Sequence, residues 1–414
     1  MPAPLLRATP AAAHASLAPM AAPHAAGASA LSHLECARCA ARADAEVLQT
    51  VCSACGGPLV ARYDLSRPDL RTLPEAFGSR EATLWRFAEL LPVRSPALRD
   101  GLGEGMTPLL ATPRLGRELG IEQLWIKDEG RNPTGSFKAR GMAVAVARAA
   151  ELGARRVYAP SAGNAGLALA AYAARHGLEA LIAFPTDIPP AFVEECQAYG
   201  AHVLVAGDTI REAGRALRDR VGAEAPWREA LDLSTLREPY RLEGKKTMGF
   251  EIALDLGGAP DVVVYPTGGG TGLIGIWKAF AEMAALGWFD ARAPRMFAVQ
   301  MDSCAPIVEA FARGAETATP ATSPATRCWG LRVPAPFADR EILDVLRASG
   351  GGAVAVEEGD LEGAAALAAG IEGIDCAPEG AAALAALSVM ENREMIGPGD
   401  RVVVLNTAAK GMYR

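Results

Sequence analysis

Two hydrophobic periods alternate along the chain from Gly105 onward. Apolar positions spaced three and four residues apart predict amphipathic helices, which fall at residues 138–152, 164–175, 191–199, 210–221, 241–256 and 273–286. Short continuous apolar runs predict strands, which fall at residues 156–159, 180–185, 202–206, 262–265, 296–301 and 402–406. Strands separated by helices of this length are typical of parallel sheets with helices on both faces. The pattern therefore predicts an α/β fold.

Composition and charge exclude some classes of partner. The 414 residues are 50% hydrophobic and 21% charged, which is ordinary globular composition and enough length for two domains. The net charge of −7 offers no basic excess for nucleic acid or an anionic membrane. No apolar run approaches the roughly 20 residues that a membrane-spanning helix needs. We therefore expect neither nucleic acid nor membrane as a partner.

The N-terminal segment, residues 1–32, is rich in alanine and proline, and its first thirty residues have no acidic residue and one arginine. This composition predicts a disordered tail. A transit peptide would carry more arginine and serine, and a signal peptide would show a basic start and a cleaner apolar centre. We therefore expect a cytoplasmic protein.

Four of the eight cysteines form two C-x2-C pairs, Cys36 with Cys39 and Cys52 with Cys55. Two such pairs at this separation match tetrahedral thiolate coordination of zinc. The sequence therefore predicts a zinc-ribbon-like segment at residues 33–63. A metal-free ribbon and a pair of disulfides are the alternatives. No histidine or carboxylate nearby completes an open site, so we expect any zinc to be structural.

A lysine stands where a turn becomes a helix. The run Asn132-Pro133-Thr134-Gly135-Ser136-Phe137-Lys138 combines turn residues with the start of a predicted helix. The positive end of a helix lowers the pKa of an ammonium group, and a lysine with a lowered pKa suits imine formation or proton transfer. The simpler alternative is a solvated lysine.

Two further turns have backbone suited to anions. Ser161, Ala162, Gly163 and Asn164 join a strand to a helix, where free N–H groups can bind a carboxylate. A plain N-capped turn is the alternative.

The second of these turns is rich in glycine. Gly268, Gly269, Gly270 and Thr271 follow an apolar strand and precede a helix, an arrangement that suits a phosphate. The overlapping run GTGLIG also matches the dinucleotide pattern, and Asp302 ends the next strand. That hypothesis does not explain Lys138, so we favour the phosphate.

These three segments, in this order, resemble the β-family (fold type II) of pyridoxal-phosphate enzymes, from about Gly105 to the C-terminus. The resemblance implies two three-layer α/β/α domains: residues 64–133 and 237–414 form a large cofactor-binding domain, and residues 134–236 form a small α/β domain. It also implies that Lys138 attaches to pyridoxal 5′-phosphate and that Asn164 contacts the 3′-oxygen. Gly268, Gly269, Gly270 and Thr271 would hold the phosphate, and Thr407 would face the pyridine nitrogen.

Within the family, the chain most resembles the threonine synthases, through the run Arg241-Leu-Glu-Gly-Lys-Lys-Thr, the lysine motif and the ribbon. This implies conversion of O-phospho-L-homoserine and water to L-threonine and phosphate. Lys138 would transfer protons, and Ser161, Ala162, Gly163 and Arg241 would bind the amino-acid substrate. The resemblance also implies a homodimer.

The chain departs from the threonine synthases at two informative positions. Ala139 follows the lysine, as in the dehydratases, and Phe192 occupies the place of a lysine that reaches the substrate phosphate. Other cations could replace that lysine, namely Lys127, Arg140, Arg211 and Lys245. The alternatives are therefore a threonine or serine dehydratase, or a related ammonia-lyase, and a binding protein that keeps the fold without catalysis.

Overall fold

The computed structural model describes residues 27–289, 293–322 and 325–413. Most of the predicted tail, residues 1–26, lies outside the described residues. The first described unit is a small antiparallel sheet with strand order β2-β1-β3. Its strands are β1 (Leu31–Cys36), β2 (Arg42–Ala43) and β3 (Leu59–Tyr63). The ribbon thus begins two residues before its predicted start, and a short helix, α1 (Leu73–Phe77), follows it.

The largest sheet has six strands in the order β12-β11-β10-β13-β5-β4. All neighbouring pairs are parallel except β4 with β5, which is antiparallel at one edge. Every residue of β10 is buried, as expected for a strand covered on both faces of a parallel sheet. The strands are β4 (Leu109–Ala111), β5 (Gln123–Asp128), β10 (Val262–Pro266), β11 (Arg295–Met301), β12 (Gly352–Val356) and β13 (Arg401–Asn406).

The second sheet is parallel, has four strands in the order β8-β7-β6-β9, and lies within residues 134–236. Its strands are β6 (Arg156–Pro160), β7 (Glu179–Phe184), β8 (His202–Val205) and β9 (Leu231–Asp232). Four helices precede or connect these strands: α3 (Lys138–Glu151), α4 (Asn164–Arg175), α5 (Pro190–Ala198) and α6 (Ile210–Ala223). Apolar side chains of β1 and β3 share one core with α3, α4 and this sheet. The ribbon is therefore packed onto the region predicted as the small domain.

The remaining helices accompany the large sheet. They are α2 (Pro113–Glu118), α7 (Arg241–Leu256), α8 (Thr271–Leu286), α9 (Pro306–Ala312), α10 (Asp339–Ala348), α11 (Asp360–Glu372) and α12 (Pro378–Asn392). Two apolar clusters, built from alternate residues of β10, β11 and β13, cover the two faces of this sheet. All six predicted helices and all six predicted strands are present, with ends within two residues of the prediction.

Two glycines set the distance between α3 and α7. A methyl group on Gly244 would lie 1.9 Å from the carbonyl oxygen of Arg140, and one on Gly141 would lie 2.8 Å from that of Arg241. The backbones therefore cross in direct contact at this point. Since α3 starts at Lys138 and α7 at Arg241, this crossing brings the first turns of both helices together.

Candidate active site

A cavity of about 550 Å³ is lined by loops and helix starts that belong to both the six-stranded and the four-stranded sheet regions. It brings together ten of the eleven residues predicted to bind cofactor or substrate, since Arg241 alone does not line it. The ten are Lys138, Ser161, Ala162, Gly163, Asn164, Gly268, Gly269, Gly270, Thr271 and Thr407. Segments more than a hundred residues apart in sequence thus meet in one place.

The loop before Lys138 is tied to the segment that follows β13. The Phe137 N–H donates to the carbonyl oxygen of Thr407 at 3.0 Å, and the Ala409 N–H donates to that of Gly135 at 2.8 Å. Between these two bonds, Ser136 pairs with Ala408 as an antiparallel bridge. Lys138 and Thr407 therefore share one short piece of backbone pairing, which holds the lysine beside the threonine.

Lys138 is half-buried and has a lowered pKa of about 7. Burial is the largest cause, because it disfavours the ammonium form, and the nearby positive charge of Arg241 acts in the same direction. The carboxylate of Glu379, in the first turn of α12, opposes them. Near neutral pH a large fraction of Lys138 is therefore the free amine, the form that attacks a carbonyl carbon.

A buried ion-pair network lies beneath this loop. Arg140 donates to Glu129 at 2.6 Å and to Glu251 at 2.5 Å, and Asn132 donates to Glu129 at 2.8 Å. Lys127 joins through Glu251 at 2.9 Å. Neither Lys127 nor Arg140 lines the cavity. These two of the four cations suggested to bind the substrate phosphate therefore stabilise the buried network instead.

The glycine turn forms a cradle at the start of α8. A methyl group on Gly268 would lie 2.2 Å from the carbonyl oxygen of Gly330, and one on Gly270 would lie 2.4 Å from Ile342. Gly270 has φ +75°, a left-handed conformation that glycine adopts without strain. Leu273 and Gly275, two residues later in the GTGLIG run, are buried inside α8 and do not line the cavity. The residues predicted to bind a phosphate, Gly268 to Thr271, are in the part of the turn that lines the cavity.

Lys245 reaches this cradle from α7. Its Nζ lies 2.6 Å from Oγ1 of Thr271, and its side chain is 1% exposed. Burial, Arg241 and Lys138 all lower its pKa well below the ordinary value. A buried amine held against the cradle and facing the cavity is a favourable place for a phosphate dianion.

The Ser161 turn is held by its own serine. The Oγ of Ser161 accepts the N–H groups of Gly163 at 3.1 Å and Gly166 at 2.8 Å. Gly163 has φ +127°, and a methyl group there would lie 3.0 Å from the ring of Phe192. Phe192 is 1% exposed and packs beneath the turn. Phe192, at the position where the resemblance implies a lysine, therefore faces the core and not the cavity.

Arg241 lies behind the cavity wall at the start of α7. Its Nη1 donates to the carbonyl oxygen of Leu233 at 2.6 Å, whereas its Nε and Nη2 have no hydrogen-bond partner within the described residues. Glu238 accepts the N–H groups of Tyr240 and Arg241, and burial raises the pKa of this carboxyl to about 7. The substrate-binding role of Arg241 stays a prediction.

Three arginines stand on the small-sheet side of the cavity, namely Arg211 and Arg218 on α6 and Arg237 after β9. All three are exposed, and none forms an ion pair with any residue that the structure describes. The sequence did not indicate Arg218 or Arg237. A seven-residue spacing places Arg211 and Arg218 on one helical face, which is the signal that could have found the pair.

The four ribbon cysteines form one cluster. Their sulfur atoms all lie within 4.8 Å of one another, with Cys36 and Cys55 at 3.4 Å and Cys39 and Cys52 at 3.6 Å. All four are unpaired thiols, which excludes the disulfide alternative in this structure. Tetrahedral zinc with Zn–S bonds of about 2.3 Å requires sulfur separations of roughly 3.8 Å. The cluster fits such an ion.

Comparison with known proteins defines the class. Residues 101–408 match the family described as "Pyridoxal-phosphate dependent enzyme", and the chain belongs to that family. Its solved structural neighbours include the processed form of threonine deaminase isoform 2 from Solanum lycopersicum, with TM-score 0.62 and 22% identity over 79% of this chain and 89% of that one. A threonine deaminase from T.th. has TM-score 0.58 and 26% identity over 73% and 92%. The fold is thus that of the fold type II enzymes.

Sequence similarity is greater to one branch of the family. The threonine synthase of Methanocaldococcus jannaschii is 36% identical over 90% of this chain and 91% of its own length. That of Methanosarcina acetivorans is 35% identical over 91% of each. This chain is a threonine synthase-like, pyridoxal-phosphate-dependent lyase. No helix in the described ranges is both long and apolar enough to cross a bilayer.

The cavity fits the cofactor that this family uses. The cradle of Gly268 and Gly270 has no room for side chains but leaves backbone exposed to an anion. The Nζ of Lys245 offers hydrogen-bond donors there, and the start of α8 adds positive potential. Lys138 and Thr407 lie on the same cavity wall, held together by the backbone pairing described above.

Proposed function

We propose that the protein converts O-phospho-L-homoserine and water to L-threonine and phosphate, with pyridoxal 5′-phosphate as cofactor. One observation supports the substrate: the exposed arginines Arg211, Arg218 and Arg237 line the cavity and have no carboxylate partners in the described chain. Guanidinium groups bind phosphate strongly through charge-assisted hydrogen bonds. Such a wall suits a substrate whose distal group is a phosphate.

The cofactor side of the cavity would be shared among the predicted residues. Lys138 would attach the cofactor, and Gly268, Gly269, Gly270 and Thr271 would hold its phosphate with help from Lys245. Asn164 would contact the 3′-oxygen, and Thr407 would face the pyridine nitrogen. When bound, the cofactor supplies stabilisation of negative charge on the substrate carbons.

Proton transfer would fall to Lys138. Its pKa of about 7 lets the group both accept and release a proton near neutral pH, which is what a shuttle between Cα and Cβ requires. Ser161, Ala162 and Gly163 would bind the substrate carboxylate, with the Ala162 N–H as the backbone donor, because the N–H groups of Ser161 and Gly163 are already bonded to the Ala183 carbonyl oxygen and to Ser161 Oγ. Arg241 would approach the substrate phosphate from behind Lys138.

A dehydratase acting on threonine or serine is the second candidate. Phe192 supports it, because the packed ring supplies no charge where threonine synthases present a lysine. A hydroxyamino acid, however, would leave the three arginines without an anion. The phosphorylated substrate therefore agrees better with the charge of the cavity.

The substrate assignment is tested with purified holoenzyme and two kinds of substrate. O-phospho-L-homoserine should yield inorganic phosphate and threonine in equal amounts. L-threonine and L-serine should yield little 2-oxo acid and ammonia. Production of 2-oxo acid without phosphate release would replace the first candidate with the second.

Matched arginine variants on one helix locate the phosphate. Arg218→Ala should raise KM for O-phospho-L-homoserine about 10- to 100-fold, since hydrogen bonds to charged groups are worth about 1.5–3 kcal/mol. Arg220→Ala is the control, because Arg220 pairs with Glu224 and lies outside the cavity lining. Equal KM values in the two variants would refute a phosphate site on α6.

We also propose that the four-cysteine cluster binds structural zinc and that the protein is a cytoplasmic homodimer. The proposed small domain spans residues 134–236. We further propose that the small domain closes over the substrate. Metal analysis should find one zinc per chain that is lost in Cys39→Ser. Light scattering should give the mass of two chains, and the mass of one chain would refute the dimer.

A further inference from the structure

The ribbon contacts the rim of the active-site cavity through one side chain. Arg38, which lies between Cys36 and Cys39 in the first C-x2-C pair, donates from Nη2 to the carbonyl oxygen of Phe337 at 2.8 Å. It also donates from Nε to Glu341 of α10 at 2.9 Å. Phe337 lines the cavity. The ribbon therefore touches a cavity residue that is 299 positions away in sequence.

The same phenylalanine supports an arginine of the cavity. The guanidinium carbon of Arg237 lies 5.2 Å from the centre of the Phe337 ring, and that of Arg38 lies 5.5 Å from it. Both distances fall within the range of a cation–π contact. Arg237 has no ion pair in the described chain, so this ring is the contact that orients its charge.

The ribbon is shaped to deliver Arg38 to this place. A methyl group on Gly57, in the turn of the second C-x2-C pair, would lie 2.9 Å from Cδ of Arg38 and 3.1 Å from Sγ of Cys36. Because glycine has no side chain, Gly57 leaves room for the side chain of Arg38. Glu341, whose side chain is only 11% exposed, binds the far end of Arg38. Both ends of the side chain are fixed, and Phe337 lies beside its tip.

We propose that Arg38 is a positioning residue for the substrate phosphate: it fixes Phe337, and Phe337 holds Arg237 toward the cavity. The ribbon would then fix the positions of Phe337 and Arg237 at the edge of the cavity, in addition to contributing apolar side chains to the core. This inference rests on the proposed function, since Arg237 is assigned there to the phosphate.

The test is steady-state kinetics of the Arg38→Ala holoenzyme with O-phospho-L-homoserine. KM should rise about 2- to 5-fold, the size expected from losing one cation–π contact at a partly exposed site. The value of kcat should stay within about a factor of two, because Lys138 and the cofactor cradle lie elsewhere in the cavity. Zinc content should equal that of wild type, which shows that the ribbon remains intact.

Two further variants separate positioning from general destabilisation. Arg62→Ala is the matched control, because Arg62 pairs with Glu35 on the ribbon surface away from the rim, and its KM should not change. Phe337→Leu should raise KM as Arg38→Ala does, and the double variant should be no worse than Phe337→Leu alone. An unchanged KM in Arg38→Ala, or equal losses of kcat in Arg38→Ala and Arg62→Ala, would overturn the inference.

Calorimetric binding of inorganic phosphate distinguishes this inference from the proposed function. If wild-type holoenzyme does not turn over O-phospho-L-homoserine, the proposed function fails. The affinity for inorganic phosphate still tests whether Arg38 positions Arg237. Weaker phosphate binding in both Arg38→Ala and Arg237→Ala supports the positioning role of Arg38. Weaker binding in Arg237→Ala with wild-type affinity in Arg38→Ala refutes it.

Discussion

Gly244 controls how closely α7 approaches α3, and its replacement by alanine should damage both stability and the cavity. The added methyl group would lie 1.9 Å from the Arg140 carbonyl oxygen and 2.6 Å from its carbon. Ordinary contact begins at 3.4 Å, so the helices must separate by about 1.5 Å. These atoms are backbone, and no flexible side chain can move aside. Overpacking of this kind costs about 1–3 kcal/mol or more, which exceeds the gain of about 1 kcal/mol from alanine in a helix.

The expected result is a net loss of stability for Gly244→Ala, measured as a lower urea midpoint. Gly363→Ala is the control, because Gly363 lies in α11 with nothing within 4 Å of an added methyl group. It should be stabilised by about 0.5–1 kcal/mol through helix propensity alone. Cofactor affinity should fall only in Gly244→Ala, since Lys245 moves with α7. The reasoning is refuted if both variants gain stability to the same extent.

Three other predictions concern the charged groups of the site. Uptake of pyridoxal phosphate by the apoenzyme, followed by absorbance, should accelerate as pH rises through about 7 and then level off, because Lys138 loses its proton there; a rate that still climbs toward pH 10 contradicts the lowered pKa. Arg140→Met should cost about 3–5 kcal/mol in urea unfolding because it leaves Glu129 buried without an ion-pair partner and Glu251 with Lys127 alone. A loss below about 1 kcal/mol would show that the carboxylates relax. Lys245→Met should weaken cofactor binding about 10- to 100-fold, measured by fluorescence titration, and an unchanged affinity would place the phosphate elsewhere.

Much of the fold could be predicted because parallel strands such as β10 are continuous apolar runs between helices. The elements that escaped prediction include β5, α11 and α12. In β5 (QLWIKD), the apolar run is only three residues long, because Gln123 precedes it and Lys127, which is fully buried and bonded to Glu251, follows it. In α11 and α12, alanine occupies most faces of the helix, so no apolar stripe distinguishes them.

The candidate site was also predictable only in part. Lys138, Asn164 and the glycine turn were predictable, because each depends on a local change from turn or strand to helix. Arg218 and Arg237 were not, since only the packing of α6 and of the segment after β9 against the cavity brings them together. Phe192 illustrates the limit of a motif comparison: the sequence shows which residue replaces the lysine, and only the structure shows that the ring packs beneath Gly163.

The last strand of the described chain, β13, occupies the middle of the large sheet between β10 and β5. During synthesis, β5 and β10 emerge well before it, and each keeps one unpaired edge until β13 inserts between them. The residue that follows β13, Thr407, also completes the backbone pairing that holds the Lys138 loop. We therefore expect a nascent chain to be unable to capture cofactor until β13 has left the ribosome. The same order leaves one edge of β5 and one edge of β10 open to aggregation in the meantime, so folding of this protein should depend strongly on how soon β13 follows them.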